Sequence, residues 1–217
     1  MTNRQELPNQ FLKPDISVAI IILAAGRSSR MPSDAGHKLL STIDDVPLVR
    51  RMALRAIESK ASHVYAITGF RHEEIEACLV GLDMTIAFNL AFASGMSSSL
   101  ITGLNIPGAM DHDGILVLLA DMPAITVENL DQLIAAFEMF GARAVIRAVH
   151  VGIPGNPVIL PKALYHRALT LQADRGAKML IETSGVEMVE IEIGEAAVID
   201  IDTLDDLERF GGVPSPS

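Results

Sequence analysis

The chain is acidic and has the length of one large domain. Its 217 residues include 17 lysines and arginines against 27 aspartates and glutamates, so the formal charge at pH 7 is −10. Because nucleic acids and anionic membranes attract basic surfaces, this charge argues against a partner of either kind. The apolar fraction of 49% is too high for intrinsic disorder. A single cysteine, Cys78, excludes an internal disulfide framework and a cysteine-rich zinc site.

The N-terminal segment of the sequence has no signal-peptide pattern. The first 15 residues are polar, and the longest apolar run, at residues 18–25, is much shorter than the roughly 20 residues that cross a bilayer. The sequence therefore predicts a cytoplasmic protein. It also predicts flexible tails at residues 1–15 and 211–217, with one domain at residues 16–210 between them.

The first half of the chain alternates between strand and helix patterns. A β-branched apolar run predicts a buried strand at residues 17–23, and apolar residues at helical spacing predict a helix at 47–60. The same criteria predict a strand at 63–68, a helix at 73–80 and a strand at 84–88. A segment rich in serine and glycine then leads into a helix.

The second half continues the alternation. Residues 115–120 form a strongly apolar strand, and Thr126 is placed to cap a helix that runs to Phe140. The later predicted elements are strands at 144–149 and 157–160, a helix opened by Pro161, a helix at 175–183, a half-exposed strand with a phase slip at 186–193, a strand at 198–201 and a capped helix starting near Thr203.

This alternation predicts the fold class, a single Rossmann-like three-layer α/β/α domain with a mostly parallel twisted sheet. In such sheets ligands bind beyond the carboxyl ends of the strands. The loops that follow the strands are therefore the places to look for a site.

The loop after the first strand concentrates small residues and cations in the run LAAGRSSRM, which is followed by Lys38. Gly26 permits unusual dihedral angles, and backbone amides together with Arg27, Arg30 and Lys38 suit a polyphosphate. The loop lacks the glycines of a dinucleotide fingerprint and the spacing of a P-loop. The alternative interpretation is a solvated, charged connection.

Two later segments supply carboxylates. Asp121 follows the apolar strand at 115–120, where an unpaired carboxylate is costly to desolvate and Mg²⁺ would supply a partner. Asp200 and Asp202 would share one face of the predicted strand, which gives a second source of carboxylate ligands. The alternatives are that Asp121 is a turn residue and that Asp202 caps the last helix.

Three further segments are candidate ligand contacts. Gly95 and the serines after it offer short donors and acceptors for a base or ribose, although a serine-rich helix cap is the alternative. A Gly/Pro turn at 152–157 contains Asn156. Arg175 and Lys178 stand at the start of a helix, where cations oppose the helix dipole and suggest an anionic ligand.

Taken in order, these segments resemble the nucleotidyltransferases that build molybdenum cofactor dinucleotides, and more specifically the molybdenum cofactor cytidylyltransferases. The resemblance covers about residues 17–210. The motifs that carry it are LAAGRSSRM with Lys38-Leu39-Leu40, TGF at 68–70, Asn89 with GMSSSL at 95–100, ADMP at 120–123, GNPV at 155–158, DRGAK at 174–178 and DIDTLDDL at 200–207.

The resemblance implies transfer of CMP from CTP, or of a nucleotide from another triphosphate, to the terminal phosphate of molybdopterin, with Mg²⁺ as cofactor. It implies catalytic roles for Arg30, Lys38 and Asp121, metal ligation by Asp121 and Asp202, and acceptor binding by Asn156 and Arg175. The nucleotide-binding residues that it implies are Leu23, Ala24, Ala25, Gly26, Arg27, Ser28, Thr68, Gly69, Gly95, Ser98 and Ser99. It further implies transient contact with a molybdoenzyme or its chaperone.

Other functions remain open at this stage. The nearest is a nucleotidyltransferase with another base or acceptor, such as GTP with molybdopterin or a different phosphorylated acceptor. A non-catalytic carrier of a cofactor is a second, although Asp121 and Lys38 weigh against it. A nicotinamide-dependent oxidoreductase is a third, and the missing glycine fingerprint disfavours it.

Overall fold

The structure is a computed structural model that describes residues 16–28, 30–31, 36–171 and 176–215. Its strands are β1 (Val18–Ala24), β2 (Thr42–Ile43), β3 (Val46–Pro47), β4 (His63–Thr68), β5 (Thr85–Phe88), β6 (Gly114–Leu119), β7 (Val145–His150), β8 (Ile153–Pro161) and β9 (Met188–Glu192). Its α-helices are α1 (Leu48–Glu58), α2 (His72–Leu79), α3 (Met96–Leu104), α4 (Val127–Met139), α5 (Tyr165–Ala168), α6 (Gly176–Thr183) and α7 (Leu204–Arg209).

A seven-stranded sheet organises these elements in the order β5-β4-β1-β6-β8-β7-β9. Parallel pairing joins β5, β4, β1 and β6, and it also joins β7 to β9. β8 runs antiparallel to both of its neighbours, β6 and β7. The predicted α/β domain with a mostly parallel sheet is therefore confirmed.

The two faces of the sheet carry separate apolar cores. Along β1 the side chains alternate, so Ile20 and Ile22 pack on one face with residues of α1 and α4. Ile21 packs on the other face with residues of α3 and α5. Burial of β1 on both faces explains why its sequence is continuously apolar.

Most predicted elements are present with small shifts of their ends. The Thr126 helix begins at Val127 and has the predicted cap, because Thr126 and Asn129 each accept a hydrogen bond from the other's backbone amide. β9 occupies only the regularly alternating part of the predicted 186–193 strand, after the phase slip. Among the helices that the structure describes, none combines the length and apolar character needed to cross a membrane.

The strand predicted at residues 198–201 is wrong. After a 3-10 turn at Gly194–Ala197 these residues join no sheet, and Ile201 donates one backbone hydrogen bond to the carbonyl of Asp121 (2.9 Å). Ile201 is fully buried, whereas Val198 is 37% exposed. The alternation of apolar residues thus reflected the burial of Ile201 in the core rather than strand pairing.

The Gly/Pro turn predicted at 152–157 is also corrected. The reversal is confined to Val151 and Gly152, and residues from Ile153 onward already belong to β8. Gly155 lets β8 pass close to the 3-10 turn at Gly194–Ala197, because a Cβ at residue 155 would lie 2.0 Å from the carbonyl oxygen of Ala197. Pro161 ends β8 and precedes a 3-10 turn and the short helix α5, instead of opening a long helix directly.

The C-terminal segment (residues 211–215), predicted as part of a loose tail, is hydrogen-bonded to the domain. Val213 exchanges two backbone hydrogen bonds with Thr42 of the short β2–β3 hairpin, which the sequence analysis missed (2.8 and 2.9 Å). Ser215 contacts the backbone of His37 and the side chain of Ser41. These bonds fix the segment beside the residue that precedes Lys38.

Candidate active site

A cleft with a volume of about 480 Å³ opens where β1 and β6 end. It lies at the carboxyl ends of parallel strands, the position that the fold class predicts for a ligand. The predicted site residues that line this cleft are Leu23, Ala25, Gly26, Arg27, Ser28, Arg30, Lys38, Gly95, Ser99, Asp121 and Asp202. The loops after β1, β5 and β6 and the segment before α7 therefore converge as expected.

The loop after β1, here called the β1 loop (residues 25–31), presents free donors to the cleft. Within the described part of the chain, the backbone amides of Gly26, Arg27 and Ser28 donate to no protein acceptor. Ser28 has a left-handed backbone (φ 53°), and its buried hydroxyl has no hydrogen-bond partner among the residues that the structure describes. Successive amides next to a left-handed residue form an anion-binding nest.

Arg27, a cation of the β1 loop, lies on an aromatic ring. The Arg27 guanidinium is 5.3 Å from the centre of the Phe92 ring, which lines the same cleft. This contact holds the side chain by a cation–π interaction and leaves its N–H groups for a ligand. Phe92 was not predicted, because a lone aromatic residue gave no signal.

Lys38 is held at the centre of the acidic side of the cleft. It begins the 3-10 helix Lys38–Leu40, and its ammonium donates to Asp121 (2.6 Å) and to Asp202 (3.1 Å). Burial by itself lowers the pKa of Lys38, but the two carboxylates outweigh this effect and the pKa is raised. Lys38 is therefore a permanent cation at neutral pH.

Three carboxylates meet beside Lys38, one more than predicted. Asp121, Asp200 and Asp202 each place an oxygen within 4.8 Å of the others. Burial and the negative charges of Asp121 and Asp202 raise the pKa of Asp200. Asp200 was considered in the sequence as a neighbour of Asp202 but was not assigned to the site.

Asp202 does not cap the last helix. Thr203 accepts from the backbone amide of Asp206 and thereby caps α7. The carboxylate of Asp202 is thus available to the cleft, where it accepts from Lys38 and from Arg30.

The carboxylate oxygens of this cluster are suitable ligands for a divalent cation. One oxygen of Asp121 is buried and finds no hydrogen-bond donor in the described part of the chain, although the other accepts from Lys38. Oxygen ligands of this kind suit Mg²⁺, which takes one or two carboxylates and substrate phosphates. After burial, the negative charges of Asp121 and Asp202 are the causes that raise the pKa of Asp200, and a cation bound between the three carboxylates would offset that repulsion.

Four predicted nucleotide-binding residues do not line the cleft. Ala24 is fully buried in β1, and Thr68 is fully buried with its hydroxyl donating to Glu76 (2.8 Å). The hydroxyl of Ser98 accepts from Asn89 and donates to the main-chain oxygens of Ala91 and Gly95, and no side chain of the described chain caps the helix α3, whose N-cap is Gly95.

Gly69 acts through close packing. A Cβ there would lie 2.6 Å from the Cβ of Ala25 and 2.7 Å from that of Phe92. Glycine therefore lets the loop after β4 pack against the β1 loop, which supports the cleft without lining it.

A smaller cavity of about 200 Å³ adjoins the cleft and shares Leu23, Met96 and Leu119 with it. Asn156 lines this cavity with Arg147, which the sequence analysis missed. Arg147 donates to the carbonyl of Gly155 (3.3 Å), and no carboxylate of the described chain lies within 4.0 Å of it. Arg175, the other predicted acceptor-binding residue, falls outside the described residues.

Comparison with known proteins identifies the family. A family model for the MobA-like NTP transferase domain matches residues 20–189. The molybdenum cofactor cytidylyltransferase of Escherichia coli (strain K12) is 27% identical over 191 residues, which cover 88% of this chain and 93% of that protein.

Solved structures share the fold of this chain. A nucleotidyl transferase from Methanothermobacter thermautotroptrophicus, Mth528, has a TM-score of 0.74 at 22% identity, covering 89% of this chain and 95% of its own. The Rv0371c homologue from Mycobacterium sp. strain JC1 has a TM-score of 0.73 at 25% identity, covering 88% and 93%. The chain therefore belongs to the family of MobA-like NTP transferase domains and is a nucleotidyltransferase, which confirms the resemblance seen in its sequence motifs.

Proposed function

We propose that the protein transfers CMP from CTP to the terminal phosphate of molybdopterin, with Mg²⁺ as the metal ion, and releases pyrophosphate. The observation that carries this proposal is the convergence of Arg30, Lys38 and three carboxylates in one cleft. The choice of CTP and molybdopterin is supported by the identity to the E. coli cytidylyltransferase.

The main obstacle to this reaction is electrostatic. A phosphate oxygen of the acceptor attacks the α-phosphorus of CTP, and the bond to the β-phosphate oxygen breaks. Two unit negative charges about 4 Å apart repel by about 4 kcal/mol at an effective dielectric near 20. Because the attacking phosphate is already ionised at neutral pH, the protein needs no general base and works by positioning and charge.

Lys38 suits the reacting phosphate. An ammonium group has three N–H donors, and Asp121 and Asp202 accept from two of them. The third is free to donate to a phosphate oxygen while the carboxylates hold the side chain in position. Arg30 is anchored by Asp202 and is the more exposed cation, which suits the outer phosphates of the triphosphate.

The β1 loop suits the rest of the triphosphate. Its free amides and the unpartnered Ser28 hydroxyl would donate to phosphate oxygens. Asp121 and Asp202, with Asp200 as a third oxygen source, would hold Mg²⁺. When bound, the metal supplies positive charge that neutralises part of the charge on the phosphates.

The adjoining cavity suits the acceptor. It is walled mainly by apolar side chains, and Arg147 and Asn156 supply polar groups. Arg147 bonds to the carbonyl of Gly155 but forms no ion pair with any carboxylate among the described residues, and its remaining guanidinium N–H groups can recognise an anionic or carbonyl group. We therefore assign Arg147, with Asn156, to recognition of the acceptor. Replacing Arg147 by alanine should raise the KM for molybdopterin at least about tenfold and leave the KM for CTP unchanged, with Arg143→Ala as the exposed control.

The base and the acceptor are tested in two steps. A thermal-shift panel of CTP, GTP, UTP and ATP with Mg²⁺ compares the bases, because a ligand that binds the native state raises the unfolding midpoint. Labelled triphosphate is then incubated with molybdopterin, and pyrophosphate and the dinucleotide are detected. Formation of a dinucleotide with GTP but not CTP would replace the cytidylyl assignment by a guanylyl one.

A further inference from the structure

His37 is a fully enclosed histidine that neither the motifs nor the proposed mechanism uses. It is 1% exposed and immediately precedes Lys38. Its Nε2 lies 3.0 Å from the carbonyl oxygen of Gly26 in the β1 loop, and its Nδ1 lies 3.3 Å from the backbone nitrogen of Leu39. One ring therefore joins the β1 loop to the 3-10 helix that carries Lys38.

These contacts assign the tautomer of the ring. The Leu39 amide can only donate, so Nδ1 of His37 accepts and has no proton. In the neutral ring the proton is then on Nε2, which donates to Gly26. Burial lowers the pKa of His37, which is consistent with a neutral ring.

The hydrogen bond to Gly26 fixes the orientation of a peptide at the cleft. A trans peptide is planar, and its C=O and N–H point in opposite directions. With the Gly26 carbonyl held by His37, the N–H of Arg27 points away from His37. This amide is one of those that find no acceptor among the residues the structure describes.

The backbone of His37 is hydrogen-bonded to Ser215 of the C-terminal segment. Its amide donates to the hydroxyl of Ser215 (2.9 Å), and that hydroxyl is 3.3 Å from the carbonyl of His37. The C-terminal segment is in turn paired with Thr42. The ring is thus fixed at both its side chain and its main chain.

We propose that His37 is a positioning residue, whose Nε2–H holds the Gly26–Arg27 peptide with its amide ready to donate to the phosphates of a nucleoside triphosphate. The inference rests on the proposed function only in that a triphosphate occupies this cleft. It concerns the hydrogen bond from Nε2, and the cap that Nδ1 gives to Leu39 is a separate, structural contact.

Two conservative variants separate these contacts. In His37→Gln the amide nitrogen can take the place of Nε2 and keep the donor to Gly26, whereas the Leu39 cap is lost. In His37→Asn the amide oxygen can take the place of Nδ1 and keep the cap, whereas the donor to Gly26 is lost. His37→Leu loses both contacts. His63→Leu is the matched control. His63 is a partly buried histidine that contacts Thr85, and it begins β4, at the end of the sheet opposite the cleft.

The probe is inorganic tripolyphosphate with Mg²⁺, measured by isothermal titration calorimetry, because it reports the phosphate contacts without the base. We expect His37→Gln and His63→Leu to bind within about twofold of the parent. We expect His37→Asn and His37→Leu to bind roughly threefold to tenfold more weakly, the range for one lost hydrogen bond. Thermal midpoints are measured in parallel, and those of the Gln and Asn variants should both fall.

Binding by His37→Asn equal to that of the parent would overturn the inference, and so would losses of affinity that simply follow the thermal midpoints. Failure of the parent to bind tripolyphosphate would overturn both the inference and the proposed function. If the parent binds it with the expected order of variants but transfers no nucleotide to molybdopterin, the proposed function fails and the role of His37 stands.

Discussion

Replacing Asp121 by asparagine removes one charge from the centre of the cleft and hardly changes the shape of the side chain. One carboxylate oxygen of Asp121 accepts from Lys38 at 2.6 Å, and the other has no partner within the described ranges. The amide oxygen of asparagine can keep the bond to Lys38, which also retains Asp202 at 3.1 Å. The variant therefore tests charge rather than packing.

The expected effect on folding is small because opposing terms nearly cancel. At an effective dielectric near 20, the attraction to Lys38 at 2.6 Å is about 6 kcal/mol. The repulsion from Asp200 and Asp202, whose oxygens lie within 4.8 Å, is about 3 kcal/mol each. The three terms cancel to within about 1 kcal/mol, so losing them should change the free energy of unfolding by no more than about 1 kcal/mol, or at most roughly 2–4 °C in Tm.

The expected effect on catalysis is much larger. Without the Asp121 carboxylate the cluster would hold Mg²⁺ less firmly, and loss of one unit of positive charge about 4 Å from the reacting phosphates costs about 4 kcal/mol at the same dielectric. That energy equals about a thousandfold in rate. Pyrophosphate release, followed over a range of Mg²⁺ concentrations, should therefore fall by at least that factor in Asp121→Asn, with an increased requirement for the metal.

Asp113, at the other end of β6, provides a matched control. Asp113 precedes β6 as Asp121 follows it, and its carboxylate accepts from Ser17 at the other end of the sheet. Asp113→Asn should lower Tm without a comparable loss of turnover. Near-normal turnover of Asp121→Asn with a normal melt would refute the metal assignment.

Three further changes have distinct expected results. Lys38→Ala should slow nucleotidyl transfer about a thousandfold, and a fall in Tm with unchanged turnover would show instead that the lysine is structural. Gly69→Ala should lower the free energy of unfolding by about 1–3 kcal/mol, since its Cβ would lie 2.8 Å from the carbonyl oxygen of Ala25; denaturant titration measures this, and an unchanged midpoint would contradict the packing argument. Because burial lowers the pKa of His37 in the folded state, aided by repulsion from Arg71 and Lys38, the unfolded chain takes up its proton first as pH falls. The contribution of neutral His37 to the stability of the folded protein is therefore complete above pH about 6.5 and is lost as the pH falls below it. When Tm is plotted against pH between about 6.5 and 5, its fall should be shallower in His37→Gln than in the parent.

The fold was largely predictable because burial dominates its sequence pattern. β1 and β6 are apolar on both faces, and the Thr126 cap is a local signal that needs no tertiary information. The strand at 198–201 was mispredicted because a buried residue such as Ile201 produces the same alternation whether or not its backbone pairs. The direction of β8 depends on contacts between distant residues, which composition does not encode.

The site was predictable where chemistry and position coincide. Gly26, Lys38 and Asp121 follow strands whose carboxyl ends share one edge of the sheet, so their convergence followed from the topology. Thr68 is the last residue of β4, but its hydroxyl bonds to Glu76, a residue on the next helix. Arg147 faces its cavity from within a strand, a position that loop-based reasoning does not search.

The pairing of Val213 with Thr42 has a practical consequence for protein production. A purification tag joined shortly after Ser215 would lie close to the residue before Lys38, because Ser215 bonds to His37. Bulk or charge added there can reach the turn that carries the lysine, even though the tag is remote in sequence from every motif. Kinetic constants should therefore be compared only between preparations that have the same carboxyl terminus, ideally with any tag removed.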